Sequence, residues 1–102
     1  MLFGGMITNI WILGGEPMDQ EPSDMLDLLI SLHYTGRKIW MFTRYEFDKI
    51  PNKFKKYLDY IKTGSYNPDL KTDDKVVRGV KLATSNQDIW MKTKEGWQKA
   101  DV

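Results

Sequence analysis

Apolar positions along this chain follow first a strand-like pattern, then a helical one, then strands again. Residues 7–13 (ITNIWIL) are rich in β-branched and aromatic side chains and stop at Gly14-Gly15, which predicts a buried strand entering a sharp turn. Residues 19–23 read as loop. Pro22 and Ser23 give a helix-start signal, and Asp24 and Asp27 suit the positive N-terminal end of a helix. Met25, Leu28, Leu29 and Leu32 then fall at i, i+3, i+4 and i+7, a single apolar stripe. Leu26 and Ile30 widen it to the breadth expected of a helix pressed onto a sheet, and Gly36 supplies the stop.

Residues 38–43 (KIWMFT) form a second strand, nearly continuous in apolar side chains as strands covered on both faces are. Residues 45–50 read as a short helix ended by Pro51. Residues 53–58 read as another, with lysines outside and Phe54, Tyr57 and Leu58 inside. Residues 59–63 (DYIKT) make a third strand running to Gly64. The order β-α-β-α-β implies parallel strands joined by right-handed crossovers. After Gly64 the period is lost through residues 67–69 and 71–75. Residues 76–83 and 88–92 have strand character, separated by Thr84-Ser85-Asn86-Gln87, and Lys94-Glu95-Gly96 reads as a turn before Trp97. The expected fold class is α/β, a parallel β-α-β-α-β core with a β-rich, partly antiparallel C-terminal tail. At 102 residues it forms a single domain.

Composition narrows the chemistry. The chain is 41% hydrophobic and 28% charged, which is ordinary for a globular protein. No apolar run approaches the roughly 18 residues of a membrane span, and residues 1–5 lack the basic start and apolar stretch of a signal peptide. A soluble, cytoplasmic protein is expected. Cysteine is absent, so this chain offers no disulfide, no thiolate nucleophile and no thiolate-ligated cluster. With one histidine, His33, a zinc site would need carboxylates for its other ligands. The net charge of +1 hides a split. Residues 1–34 hold Glu16, Asp19, Glu21, Asp24 and Asp27 and no Lys or Arg, whereas residues 35–102 hold all fifteen basic residues. Solvated faces of one domain account for such a split, and so does complementary association or an anionic ligand on the basic side. A net charge so near zero gives no support to nucleic-acid binding.

Ligands of open parallel α/β sheets sit beyond the carboxyl ends of the strands. Three groups fall there by construction: Gly14-Gly15-Glu16-Pro17, Thr43-Arg44-Tyr45 and Gly64-Ser65-Tyr66. The glycines permit close approach of a ligand, and Glu16, held by Pro17, could direct a carboxylate at a cationic group such as an amine; a tight strand-to-loop turn explains the same residues. The spacing to the next glycine fails the dinucleotide fingerprint. Thr43 either donates a hydrogen bond to a ligand or caps the following turn. Arg44 has the fork to grip an anion, and Lys49, Lys53, Lys55 and Lys56 read as a solvated helix face.

Four blocks in order, ILGGEPMDQ (residues 12–20), KIWMFTRYEFDKI (38–50), DYIKTGSYNPDL (59–70) and SNQ (85–87), resemble the activating proteins of anaerobic ribonucleoside-triphosphate reductase, a branch of the radical S-adenosylmethionine enzymes. The resemblance covers residue 7 to about residue 90. It implies part of a partial parallel barrel, with Gly14, Gly15, Glu16 and Pro17 at the methionyl amino group of S-adenosylmethionine and Thr43 as a second cofactor contact. In that family a four-iron–four-sulfur cluster on three cysteines, in a loop upstream of the Gly-Gly-Glu strand, enables cleavage of S-adenosylmethionine and formation of a glycyl radical on the reductase. This sequence has no counterpart of that loop or of the strand before it. The resemblance therefore implies no catalytic residue and no metal ligand here, no competence alone, and two candidate partners: the reductase, or a chain carrying the cysteine loop. A protein- or S-adenosylmethionine-binding module without catalysis is the alternative. The first strand is expected to be left as an unpaired apolar edge.

Overall fold

Hydrogen bonding joins Leu2–Gly5, Asn9–Leu13, Lys38–Phe42, Tyr60–Thr63, Asp88–Thr93 and Gly96–Lys99, in that order, into one sheet, and Val76–Val77 and Val80–Lys81 form a separate two-stranded ribbon. The structure, a computed structural model, describes residues 2–5, 9–13, 16–73 and 75–100. The elements are β1 (Leu2–Gly5), β2 (Asn9–Leu13), α1 (Pro22–His33), β3 (Lys38–Phe42), α2 (Asn52–Lys55), β4 (Tyr60–Thr63), β5 (Val76–Val77), β6 (Val80–Lys81), β7 (Asp88–Thr93) and β8 (Gly96–Lys99). The fold is mixed α/β, and strands outweigh helices among the described residues. β2 pairs parallel with β3 and β3 with β4, while β1 on β2, β7 on β4 and β8 on β7 are antiparallel.

Strand alternation gives the sheet two apolar faces, each with its own core. On one face Ile10, Ile12, Ile39, Met41 and Ile61 pack with Met25, Leu29 and Leu32 of α1 and with Phe54 and Leu58. On the other, Trp40 and Ile89 pack with Val77, Leu82 and Ala100, with Trp11, Phe42 and Tyr60 at the flank. Each fully buried Leu or Ile contributes about 1.5–3 kcal/mol of transfer free energy. α1 begins where the Glu21 carboxylate accepts from the Ser23 amide at 3.0 Å and the Ser23 hydroxyl at 2.8 Å. It ends where the Thr35 hydroxyl donates to the Leu32 carbonyl.

Several segments depart from the sequence reading, each for an identifiable reason. The first strand is not an open edge: β1 lies along it, pairing Leu2 with Leu13 through Gly5 with Ile10. Residues 7 and 8 of that reading lie outside the described residues. Pro17–Asp19, read partly as loop, is a 3₁₀ turn, and so is Phe47–Lys49 in place of a longer helix. There the Tyr45 carbonyl is held by the Gly64 amide at 3.3 Å, which keeps residue 45 out of a helix. The helix expected over residues 53–58 is only Asn52–Lys55. Asp59 is claimed by the sheet, donating its amide to the Ile39 carbonyl and accepting the Ile39 amide on its carboxylate, both at 2.9 Å. Residues 76–83 are not one strand, because Arg78 (φ 52) and Gly79 (φ 82) turn β5 back onto β6. Positive φ at both central residues is the pattern of a tight hairpin turn.

The tail is fastened to the end of β4 by the Ser85-Asn86-Gln87 block. Buried Gln87 accepts the Ala83 and Thr84 amides on Oε1, at 3.0 and 3.2 Å, and donates from Nε2 to the Gly64 carbonyl at 3.2 Å. Asn86 donates to the Ser65 carbonyl at 2.9 Å. Gly64 makes this approach possible: its φ is +98°, and a Cβ there would meet the Asn86 carbonyl oxygen at 3.0 Å and the Gln87 Cα at 3.1 Å. Both contacts are backbone and cannot swing away. Gly64→Ala is therefore expected to lower stability by about 1–3 kcal/mol, read as a lower urea midpoint, whereas Gly36→Ala, with nothing within 4 Å, loses only what its own positive φ imposes.

Candidate functional site

The carboxyl ends of β2 and β3 are joined by one buried carboxylate. Glu16, three residues past β2, has a side chain only 4% exposed. Its Oε2 accepts the Met18 amide at 2.8 Å and the Thr43 hydroxyl at 2.8 Å, and its Oε1 accepts the Arg44 amide at 2.7 Å. Local sequence explains the placement. Pro17, fully buried at the first position of the 3₁₀ turn, presets the backbone so that the Met18 amide points back at the carboxylate. Thr43 is 3% exposed and held to β4 by its amide, which donates to the Lys62 carbonyl at 2.9 Å. Its hydroxyl oxygen also accepts the Tyr45 amide at 3.1 Å.

An outer layer covers this core. The Arg44 guanidinium bonds Asp19 at 2.8 Å and stands 3.8 Å from Glu16 Oε1, and the Tyr45 hydroxyl donates to the other Asp19 oxygen at 2.7 Å. The Tyr45 hydrogen bond, reinforced by Arg44, holds the Asp19 carboxyl below its ordinary range, and the same bond raises the Tyr45 phenol. Burial pushes the Lys62 ammonium down while the Glu16 carboxylate opposes that shift.

Of the residues singled out from sequence, Glu16, Pro17 and Thr43 are together, and Gly14 and Gly15 lie outside the described residues. Arg44 is engaged with the chain's own carboxylates rather than turned to an anion. His33 stands edge-on to Tyr57 at 5.4 Å, a packing role. Ser85-Asn86-Gln87 is a structural clasp, as set out above. Asp19 is the residue that sequence reasoning missed; its place in a loop-like stretch gave no signal, and only the fold brings it to Arg44 and Tyr45.

Comparison with known proteins bears on what this arrangement descends from. A family model described as a 4Fe-4S single cluster domain matches residues 4–90. No curated protein and no solved structure matches the chain. The residues present do not fit such a cluster: the sequence has no cysteine, and among the described residues no group of three or more His, Asp or Glu is placed to hold a metal ion. Among the described residues, too, no helix is long and apolar enough to cross a membrane.

Two outcomes follow from the geometry. Thr43→Val removes one donor from buried Glu16 and the acceptor of the Tyr45 amide, and is expected to cost about 1–3 kcal/mol in chemical unfolding, with Thr43→Ser restoring most of it. Because the folded-state carboxyl of Asp19 is depressed, the stabilisation from its bonds to Tyr45 and Arg44 is present above the unfolded-state value near 4 and is lost as pH falls through the folded value. Tyr45→Phe is expected to move the Asp19 midpoint upward in a carboxyl ¹³C NMR titration, and to move the acid-side loss of stability to higher pH with it.

Proposed function

This chain belongs to the 4Fe-4S single cluster domain family, and from that premise we propose that it is a non-catalytic part of a radical S-adenosylmethionine activase of the anaerobic ribonucleotide reductase type. Gly14, Gly15, Glu16, Pro17 and Thr43 orient the methionyl end of S-adenosylmethionine, on strands assigned to part of a partial barrel. A cluster, where one is used, is held by thiolates of another polypeptide, and the reductase or that polypeptide is the partner. In the activases, reductive cleavage of S-adenosylmethionine supplies the radical passed to the reductase. Residues of this chain bind and orient, and none of them carries an electron.

The observation behind this reading is buried Glu16 bonded to Thr43 at the carboxyl ends of adjacent parallel strands. A carboxylate has about four lone-pair positions, and three here are met by internal donors. The fourth lies on the Oε1 side, where Arg44 Nη1 waits at 3.8 Å. An arriving ammonium would take that position while Asp19 retains the guanidinium. The same three internal bonds favour a second reading, a protein-binding module of this family in which Glu16 is a polar strut.

Calorimetric titration with S-adenosylmethionine separates the two. Saturable binding is expected, weakened by about tenfold or more in Glu16→Gln, since one hydrogen bond to a charged group is worth about 1.5–3 kcal/mol. An absence of heat at millimolar ligand, in a chain whose circular dichroism shows it folded, removes the cofactor role and leaves the module.

A further inference from the structure

The last strand of the sheet, β8, has an outer edge with a distinctive face. Ala100 donates to the Ile89 carbonyl at 2.8 Å, and β7 and β8 pair Trp90 with Lys99 and Lys92 with Trp97. Antiparallel ladders alternate. Gln98 and Met91 are thus the next hydrogen-bonded pair, and the amide and carbonyl groups of Trp97 and Lys99 point away from β7. The side chains of those same two residues share a face with Trp90 and Lys92.

That face is a mosaic of rings covered by ammonium groups. Phe47 stacks on Trp90 at 4.1 Å and meets Trp97 edge-on at 5.7 Å. Lys55 Nζ lies 3.8 Å from the Phe47 centroid, and Lys99 and Lys92 lie 5.5 Å from Trp90 and Trp97 respectively. Carboxylates meet this charge only in part: Asp88 is shared between Lys75 at 3.5 Å and Lys99 at 3.6 Å, the charges of Asp48 and Asp59 reach Lys55 and Lys92 without offsetting their burial, and Lys92 is bonded to the Lys56 carbonyl. Burial already pushes the Lys55 and Lys92 ammoniums below their ordinary value, so an added carboxylate would relieve a cost the fold carries.

We propose that the outer edge of β8 is a docking site for an extended acidic segment of a partner protein, added to the sheet as a further strand with carboxylates at alternate positions, one beside Lys99 and the next beside Trp97, over whose ring the Lys92 ammonium lies. Strand addition satisfies main-chain groups while alternate side chains give selectivity. Lysines on an edge strand bar pairing with neutral or basic strands, and they select one that carries carboxylates. A second copy is disfavoured because β8 itself, Gly96–Lys99, carries a lysine and no carboxylate to set against Lys99. A nucleic acid finds few open ring faces for stacking, since Phe47 lies between Trp90 and Lys55. The proposal is independent of the cofactor reading.

The test is calorimetry with a capped eight-residue peptide of alternating Glu and Val, with amide exchange followed by NMR. Saturable binding is expected, with slowed exchange at the Trp97 and Lys99 amides and little change at Gln98, and about tenfold weaker affinity in Lys99→Glu. Binding that leaves those two amides unprotected overturns strand addition. Equal affinity for a Lys–Val peptide, tighter binding of a dT oligonucleotide, self-association without peptide, or no saturable binding each overturns the acidic partner.

Discussion

A carboxylate withdrawn from water has to be surrounded by donors, and the surroundings of Glu16 organise the strand-end region. Met18, Thr43 and Arg44 each give a donor, and they come from two segments that sequence separates widely. Burying the charge costs several kcal/mol without such partners, so the loop after β2 and the end of β3 are held in one relation. Everything outward of that depends on it: the Thr43 hydroxyl sets the Tyr45 amide, Tyr45 and Arg44 grip Asp19, and the Tyr45 carbonyl receives Gly64 at the end of β4. From Gly64 the chain of contacts continues into the tail through Gln87.

What was legible in the sequence was local. The apolar stripe from Met25 to Leu32 gave α1, because a helix of this length is set by period and caps. The aromatic run ending at Thr43 gave β3, and Glu16 and Thr43 were singled out because strand ends are where ligands meet open sheets. What escaped was decided at a distance. The helix expected over residues 53–58 lost its second half to the bonds between Asp59 and Ile39. Arg78 at positive φ is unusual for a side chain with a Cβ, so Gly79 without a second turn-forming residue beside it did not announce a hairpin within residues 76–83. Asp19 joined the site only because β3 brought Arg44 and Tyr45 beside it.

Membership of an iron–sulfur family and the absence of every thiolate are compatible on physical grounds. Strand alternation makes both cores and α1 closes one of them, and none of their residues is of a type that would coordinate iron through sulfur other than methionine. The fold's stability therefore has a source separate from any cluster, unlike small domains whose metal supplies the folding free energy. Sequence can drift away from ligation while the sheet and its strand-end carboxylate remain.

The antiparallel strand β1 has a kinetic meaning. It lies along the side of β2 where another chain's strand would have to pair, so such a chain could join there only by exchange, fraying β1 before replacing it. Two of its four residues are glycine, which hold a strand weakly. Assembly at that side would then proceed at a rate set by the opening of β1 rather than by diffusion, and would be insensitive to the concentration of the incoming chain once that chain is in excess.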